Sequence, residues 1–166
     1  MGAVSRKFEY HVERIHGQEI QKPLPKRLHA ILQKRIMLEL AKLETAGRFE
    51  VLPELDVLTG GGNWVVPDVA VAAVNAAYDA GKLAGPAELA VEIMSPGQTI
   101  GQLFDKCEML HAGGTKHCWV IWPAKRTAWR YDAGELPVIE ESELIAGEIR
   151  LSVLPLFADL PDEVEN

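Results

Sequence analysis

Two carboxylates stand inside runs that are otherwise apolar. Asp68 interrupts WVVPDVAVAAV (64–74), and Glu92 interrupts ELAVEIMSP (88–96). Burying an ionised carboxylate is costly unless it is paired or holds a metal. Strand alternation puts Asp68 on one face with Ala70 and Ala72, and Glu92 on one face with Ala90 and Met94. If the two strands are neighbours, the carboxylates converge on a hard divalent cation, which prefers oxygen ligands. Lys106 lies at the margin of an apolar helix stripe, from which it reaches the same sheet edge. Asp, Glu and Lys around a metal form a hydrolytic set. The metal polarises a phosphodiester and acidifies its water, and the lysine stabilises developing negative charge or positions the water. Taken singly, either acid would be read as ending a strand or pairing with a nearby cation. Two in central strands, with a third carboxylate on an inward helix face, point to a site.

The elements that must position these residues follow from periodicity. Leu28, Ile31, Leu32, Ile36, Leu40 and Leu43 recur at helical steps, with Gly47 as the stop. At about 100° per residue Glu39 projects only about 20° from Leu28, which places it inside the apolar arc with His29 at its margin. Before that helix, His16-Gly17 reads as a turn between two short extended pieces, and Pro23 and Pro25 punctuate the segment's end. Phe49 to Leu58 alternates like a half-buried strand, which Pro53 marks as an edge or a bulge. Gly60 to Gly62 is a loop. Trp64 to Val74 and Leu89 to Met94 read as central strands covered on both faces. Ile100, Leu103, Phe104, Cys107 and Leu110 stripe a second helix that Gly113-Gly114 end. HCWVIW (117–122) is a strand that pairs with Thr127 to Tyr131, and short strands follow near Leu136 to Ile139 and Ile149 to Val153. The order predicts an α/β (α+β) domain, a mixed sheet with helices on its faces. The 166 residues suit one domain, with an N-terminal segment (1–24), a core (25–160) and an acidic tail (161–166).

The net charge of −7 argues at first against a nucleic-acid partner. Its distribution weakens that argument. Residues 1–48 carry 10 Lys+Arg against 5 Asp+Glu, residues 49–134 carry 6 against 10, and residues 135–166 carry 1 against 9. The basic excess falls on the N-terminal third, and several acids of the middle third are the candidate ligands, whose charge a cation offsets. Loose, salt-sensitive binding through the N-terminal third is the expectation. Cys107 and Cys118 are too few for a disulfide framework and suit a reducing, cytoplasmic setting. No stretch approaches the roughly 18 apolar residues that span a bilayer, so no membrane partner is expected.

Other chemistries are less well supported. Cys107, His111, His117 and Cys118 lack the spacing of a zinc site and read better as core and helix-end residues. The triple glycine has no following Lys-Ser/Thr, so it is not a P-loop. Ser95 lacks the glycine elbow of a serine hydrolase. The tryptophans lie mostly in strands and read as core.

An ordered set of short motifs carries a resemblance. Glu-x-x-x-Gly (13–17), His29 opening a helix, Pro67-Asp68, EIMSP (92–96), Lys106, HAGGTKHCWVIW (111–122) and LSVLPLFADL (151–160) resemble the "putative restriction endonuclease" branch of the PD-(D/E)XK nuclease superfamily. The match in order and spacing runs from about Glu13 to Leu160. The resemblance implies a restriction-endonuclease-like fold and Mg²⁺ or a similar ion such as Mn²⁺. By it, Asp68, Glu92 and the main-chain carbonyl of Ile93 are metal ligands and Lys106 is the catalytic lysine. Glu13, His29 and Glu39 are additional site candidates. The general superfamily pattern puts the lysine two residues after the second acid, where this chain has Met94; in this branch the following helix supplies it. The branch usually has a tyrosine one turn after the lysine and an aspartate before the proline that ends the late strand. This chain has Leu110 and Trp122 there. The function implied is metal-dependent DNA phosphodiester hydrolysis by a homodimer. The contrasting expectation is an inert nuclease-fold module that binds DNA or protein.

Overall fold

The structure is a computed structural model, and it describes residues 11–162. The first ten residues of the expected N-terminal segment and the last four of the expected acidic tail lie outside the described residues. The chain begins with a hairpin, β1 (Val12–Ile15) and β2 (Gln18–Gln21), turned by His16-Gly17, as the sequence predicts. Helix α1 (Arg27–Leu40) and a short 3₁₀ turn lead into β3 (Phe49–Pro53), β4 (Val57–Gly60), β5 (Asn63–Val65) and β6 (Val69–Ala73). A small hairpin, β7 (Tyr78–Asp79) and β8 (Lys82–Leu83), precedes β9 (Leu89–Ile93), α2 (Ile100–Ala112), β10 (His117–Trp122) and β11 (Thr127–Asp132). The chain closes with β12 (Val138–Glu140), β13 (Glu143–Ala146), β14 (Ile149–Ser152) and α3 (Leu154–Phe157).

The main sheet has the order β12-β11-β10-β9-β6-β3. Within it, among the described strands, only β9 and β10 pair in parallel, and α2 is the crossover that joins them. Alternation assigns the two faces. Val69, Val71, Leu89, Val91, Ile93, Trp119 and Ile121 pack under α1, against Leu32, Ile36 and Leu40. Ala72, Ala90, Cys118 and Val120 face α2, against Leu103, Cys107 and Leu110. Each fully buried Leu or Ile contributes about 1.5–3 kcal/mol, so these stripes fix both helices on the sheet. The alanines let α2 lie close. Its N-terminus is set by a capping box between Thr99 and Gln102. At its other end a Cβ on Gly113 would meet the Thr59 backbone at 2.9 Å, so only glycine lets α2 end against β4.

Three expectations about the elements need correction. The Phe49–Leu58 run is two strands, because Glu54 turns the chain at φ +54°. Pro53 does end an edge strand, β3. The Trp64–Val74 run is also two strands, and they belong to different sheets. Pro67-Asp68 make the break, since proline lacks the N–H that would continue the ladder. The second sheet, ordered β2-β1-β5-β4-β8-β7, was not legible as a sheet in the sequence, where its strands are only two to four residues long.

Candidate active site

The break between the sheets builds the site. β6 pairs antiparallel with β9 in the register Val69↔Val91. Extending that register sets Asp68 opposite Glu92 and Pro67 opposite Ile93. Both acids are almost fully buried, as are Glu13, His29 and Lys106. Glu13 comes from β1, whose alternation buries Glu13 and Ile15 and exposes the other positions more.

Asp68 is heavily partnered. Its Oδ2 accepts a 2.6 Å hydrogen bond from the Ile93 N–H. Its Oδ1 lies 2.7 Å from Lys22 Nζ and 3.1 Å from His29 Nε2. Burial pushes the carboxyl up, but Lys22 and His29 outweigh it and hold Asp68 well below the usual carboxylate range. Lys22 also donates to the Val66 carbonyl and to Glu54 Oε2, each at 2.8 Å. Gln33 donates to Glu54 Oε1 and to the Asp68 carbonyl. Burial pulls the Lys22 ammonium down, yet Asp68, Glu92 and Glu54 together hold it above its ordinary value.

Glu92 is different. Its Oε1 is buried and has no hydrogen-bond partner among the described residues. Burial is the main cause of a carboxyl pushed well above its ordinary value; Asp68 adds to the shift, and Lys106 opposes it. Lys106 Nζ lies 2.7 Å from Glu13 Oε2, and Glu13 Oε1 accepts from the Val66 N–H at 3.0 Å. Burial pulls the Lys106 ammonium down, but Glu92 and Glu13 raise it, so it stays charged.

The structure therefore brings together Asp68, Glu92, Ile93, Lys106, Glu13 and His29. It does not bring in Glu39. That side chain is 55% exposed and pairs with Lys42 at 2.8 Å on the outer surface. The buried stripe of α1 is His29, Leu32, Ile36 and Leu40. At about 100° per residue, Glu39 lies about 65° from the centre of that stripe. Leu28, used to place it, is itself only at the stripe's edge, and His29 is in the stripe rather than at its margin. Lys22, Glu54 and Gln33 were missed. Lys22 sits in a polar, proline-punctuated stretch with no periodicity, and Glu54 alternates onto the nominal outer face. Only the turn at Glu54 carries its carboxylate back to Lys22.

The donor set suits a hard divalent cation. Two carboxylates face each other across one ladder, and one has an unpartnered buried oxygen. The N–H and C=O of a residue in a strand leave on the same edge. The Ile93 N–H points to Asp68, so its carbonyl points to the same edge, where Pro67 has no N–H to offer. Among the described residues no three His, Cys, Asp or Glu side chains group as a metal cluster, so the main-chain oxygen would complete any such set.

The family model described as "Uma2: putative restriction endonuclease" matches residues 5–159. The chain belongs to this family. Among solved structures, it is similar to a crystal structure titled as a putative nuclease from Anabaena variabilis ATCC 29413. The identity is 26%, the match covers 90% of this chain and 91% of that one, and the TM-score is 0.76. A comparison with curated proteins finds no match. The Uma2 chain thus has a restriction-endonuclease-like fold and belongs to a family described as putative restriction endonucleases, which supports nuclease function in general. No helix among its described residues is long and apolar enough to cross a membrane.

Proposed function

We propose that this Uma2 chain hydrolyses DNA phosphodiester bonds with a divalent cation held by Asp68, Glu92 and the Ile93 carbonyl. The observation that carries the reading is the facing of Asp68 and Glu92 across the β6–β9 register, beside a buried charged lysine. Mg²⁺ or Mn²⁺ bound there would polarise the phosphoryl group and acidify the attacking water. Lys22 and His29 keep Asp68 ionised and fixed before any cation arrives. Glu13, itself held by the Val66 N–H, aims Lys106. The Lys106 ammonium then stabilises the negative charge that develops on the phosphoryl oxygens, in a buried site where electrostatic interactions are strong. The test is nicking of supercoiled plasmid by the pure protein in Mn²⁺. Asp68→Ala and Lys106→Met should each lower the rate at least about 100-fold. Full activity in either variant would sink the assignment of that residue.

One observation favours a second reading, an inert nuclease-fold module. Lys22 already neutralises Asp68, so the site could hold its lysine in place of a metal. Plasmid left uncut in millimolar Mn²⁺, together with DNA binding, would favour that reading.

A further inference from the structure

A cleft of about 810 Å³ opens beside the buried acids. The N-terminal end of α1 forms one wall with Lys26 and His29, the loop Ser95–Gln98 a second, and the β10–β11 turn a third with Trp122, Lys125 and Arg126. His29 joins it to the site, because it lines the cleft and contacts Asp68. Three of the lining side chains carry permanent positive charge. Among the described residues Asp162 is the one carboxylate in the lining; it is fully exposed and lies 3.7 Å from Arg126. Among the described residues, no other acid of the C-terminal third lines the cleft.

Trp122 stands out in this wall. It is the last residue of β10, half-buried and only partly packed against the α2 side of the core. Lys125 Nζ lies 6.0 Å from its ring centroid, at the outer limit of a cation–π contact, so this cation holds the ring only weakly. A half-buried indole in a cleft that three cations also line, beside a candidate hydrolytic centre, matches the way proteins hold unpaired nucleotides: bases stack on aromatics while cations track phosphates. In a duplex, base faces are already stacked on one another and cannot use such a surface. We infer that Trp122 is a stacking platform for an unpaired base, with Lys26, Lys125 and Arg126 on the flanking phosphates, and that the chain prefers single-stranded DNA to duplex. This rests on the nuclease reading for DNA as the ligand, but binding and cleavage can be measured apart.

The experiment is fluorescence titration of the full chain, in EDTA, with an oligonucleotide carrying 2-aminopurine, as single strand and as blunt duplex. Stacking quenches the probe. The single strand should bind about tenfold tighter than the duplex. Trp122→Leu should abolish the quench and weaken single-strand binding about tenfold, with Trp122→Phe retaining most of it. Thermal melts of Trp122→Leu check that the variant is folded. Lys125 is exposed, so Lys125→Glu should fold normally and should reduce the salt slope of binding. Equal affinity for the two forms, or an unchanged quench in Trp122→Leu, would overturn the inference. Mn²⁺-dependent nicking with no single-strand preference would refute the platform and leave the nuclease reading standing. Single-strand binding lost in Trp122→Leu without any cleavage would do the reverse.

Discussion

The two sides of the site treat identical chemistry in opposite ways. On the α1 side, Asp68 is surrounded by Lys22, His29 and a backbone N–H, and is held ionised below the usual range. On the α2 side, Glu92 has one oxygen with no partner among the described residues, and burial pushes it up despite Lys106. The two acids face each other across one strand ladder, so the difference comes from their partners and not from depth. Two neighbouring acids pushed in opposite directions by their environments are a mark of functional sites. On the proposed reading Asp68 is anchored before a cation arrives, and Glu92 would be stabilised as a carboxylate only when one does.

The sharpest way to break the contrast is to remove the anchor. Lys22→Met leaves Asp68 without its strongest cation. Removing one member of a buried ion pair costs about 3–5 kcal/mol, so urea melts of the metal-free variant should show a loss of that order, partly recovered in millimolar Mn²⁺. A neutral result would mean that Lys22 does not hold Asp68.

The opposite change on the other side should stabilise. The folded-state pKa of Glu92 is raised, so its contribution to stability is full below the unfolded carboxylate range, near pH 4, and is lost as pH rises toward the folded value. Glu92→Gln should therefore raise the melting temperature of metal-free protein by a few degrees at pH 7 and by much less at pH 4. Asp68 has the reverse sign: its pairing stabilises above the unfolded carboxylate range and is lost as pH falls. A Glu92→Gln gain that is the same at both pH values would contradict the burial account.

The smallest effect belongs to Glu39. It pairs with Lys42 on the outer face of α1, so Glu39→Gln should leave nicking unchanged and the melting temperature within about a degree, as exposed pairs contribute little. A large loss of cleavage would restore the inward placement that periodicity suggested.

Much of the site was legible because burying a carboxylate in an apolar run is costly enough to need a reason. Asp68 and Glu92 announce themselves in this way, and Lys106 by its place on the α2 stripe. HCWVIW maps directly onto β10, because a continuous apolar run leaves little choice of element. Periodicity misplaced Glu39 because a helix stripe has soft edges, and a stripe centred on Leu28 differs by a fraction of a turn from one centred on Ile36. Lys22 and Glu54 were illegible because their roles depend on where two chain reversals bring them. Pro67 could be read as a breaker, but not as the point where the chain leaves one sheet for another.

The central claim is that Asp68 and Glu92 share a cation that Lys106 serves but does not hold. The most direct measurement is calorimetric titration of Mn²⁺ into wild type, Asp68→Asn, Glu92→Gln and Lys106→Met. The account predicts binding by wild type and Lys106→Met, and none by either carboxylate variant. Binding that survives both carboxylate changes, or wild type that binds no Mn²⁺ at millimolar concentration, would contradict it.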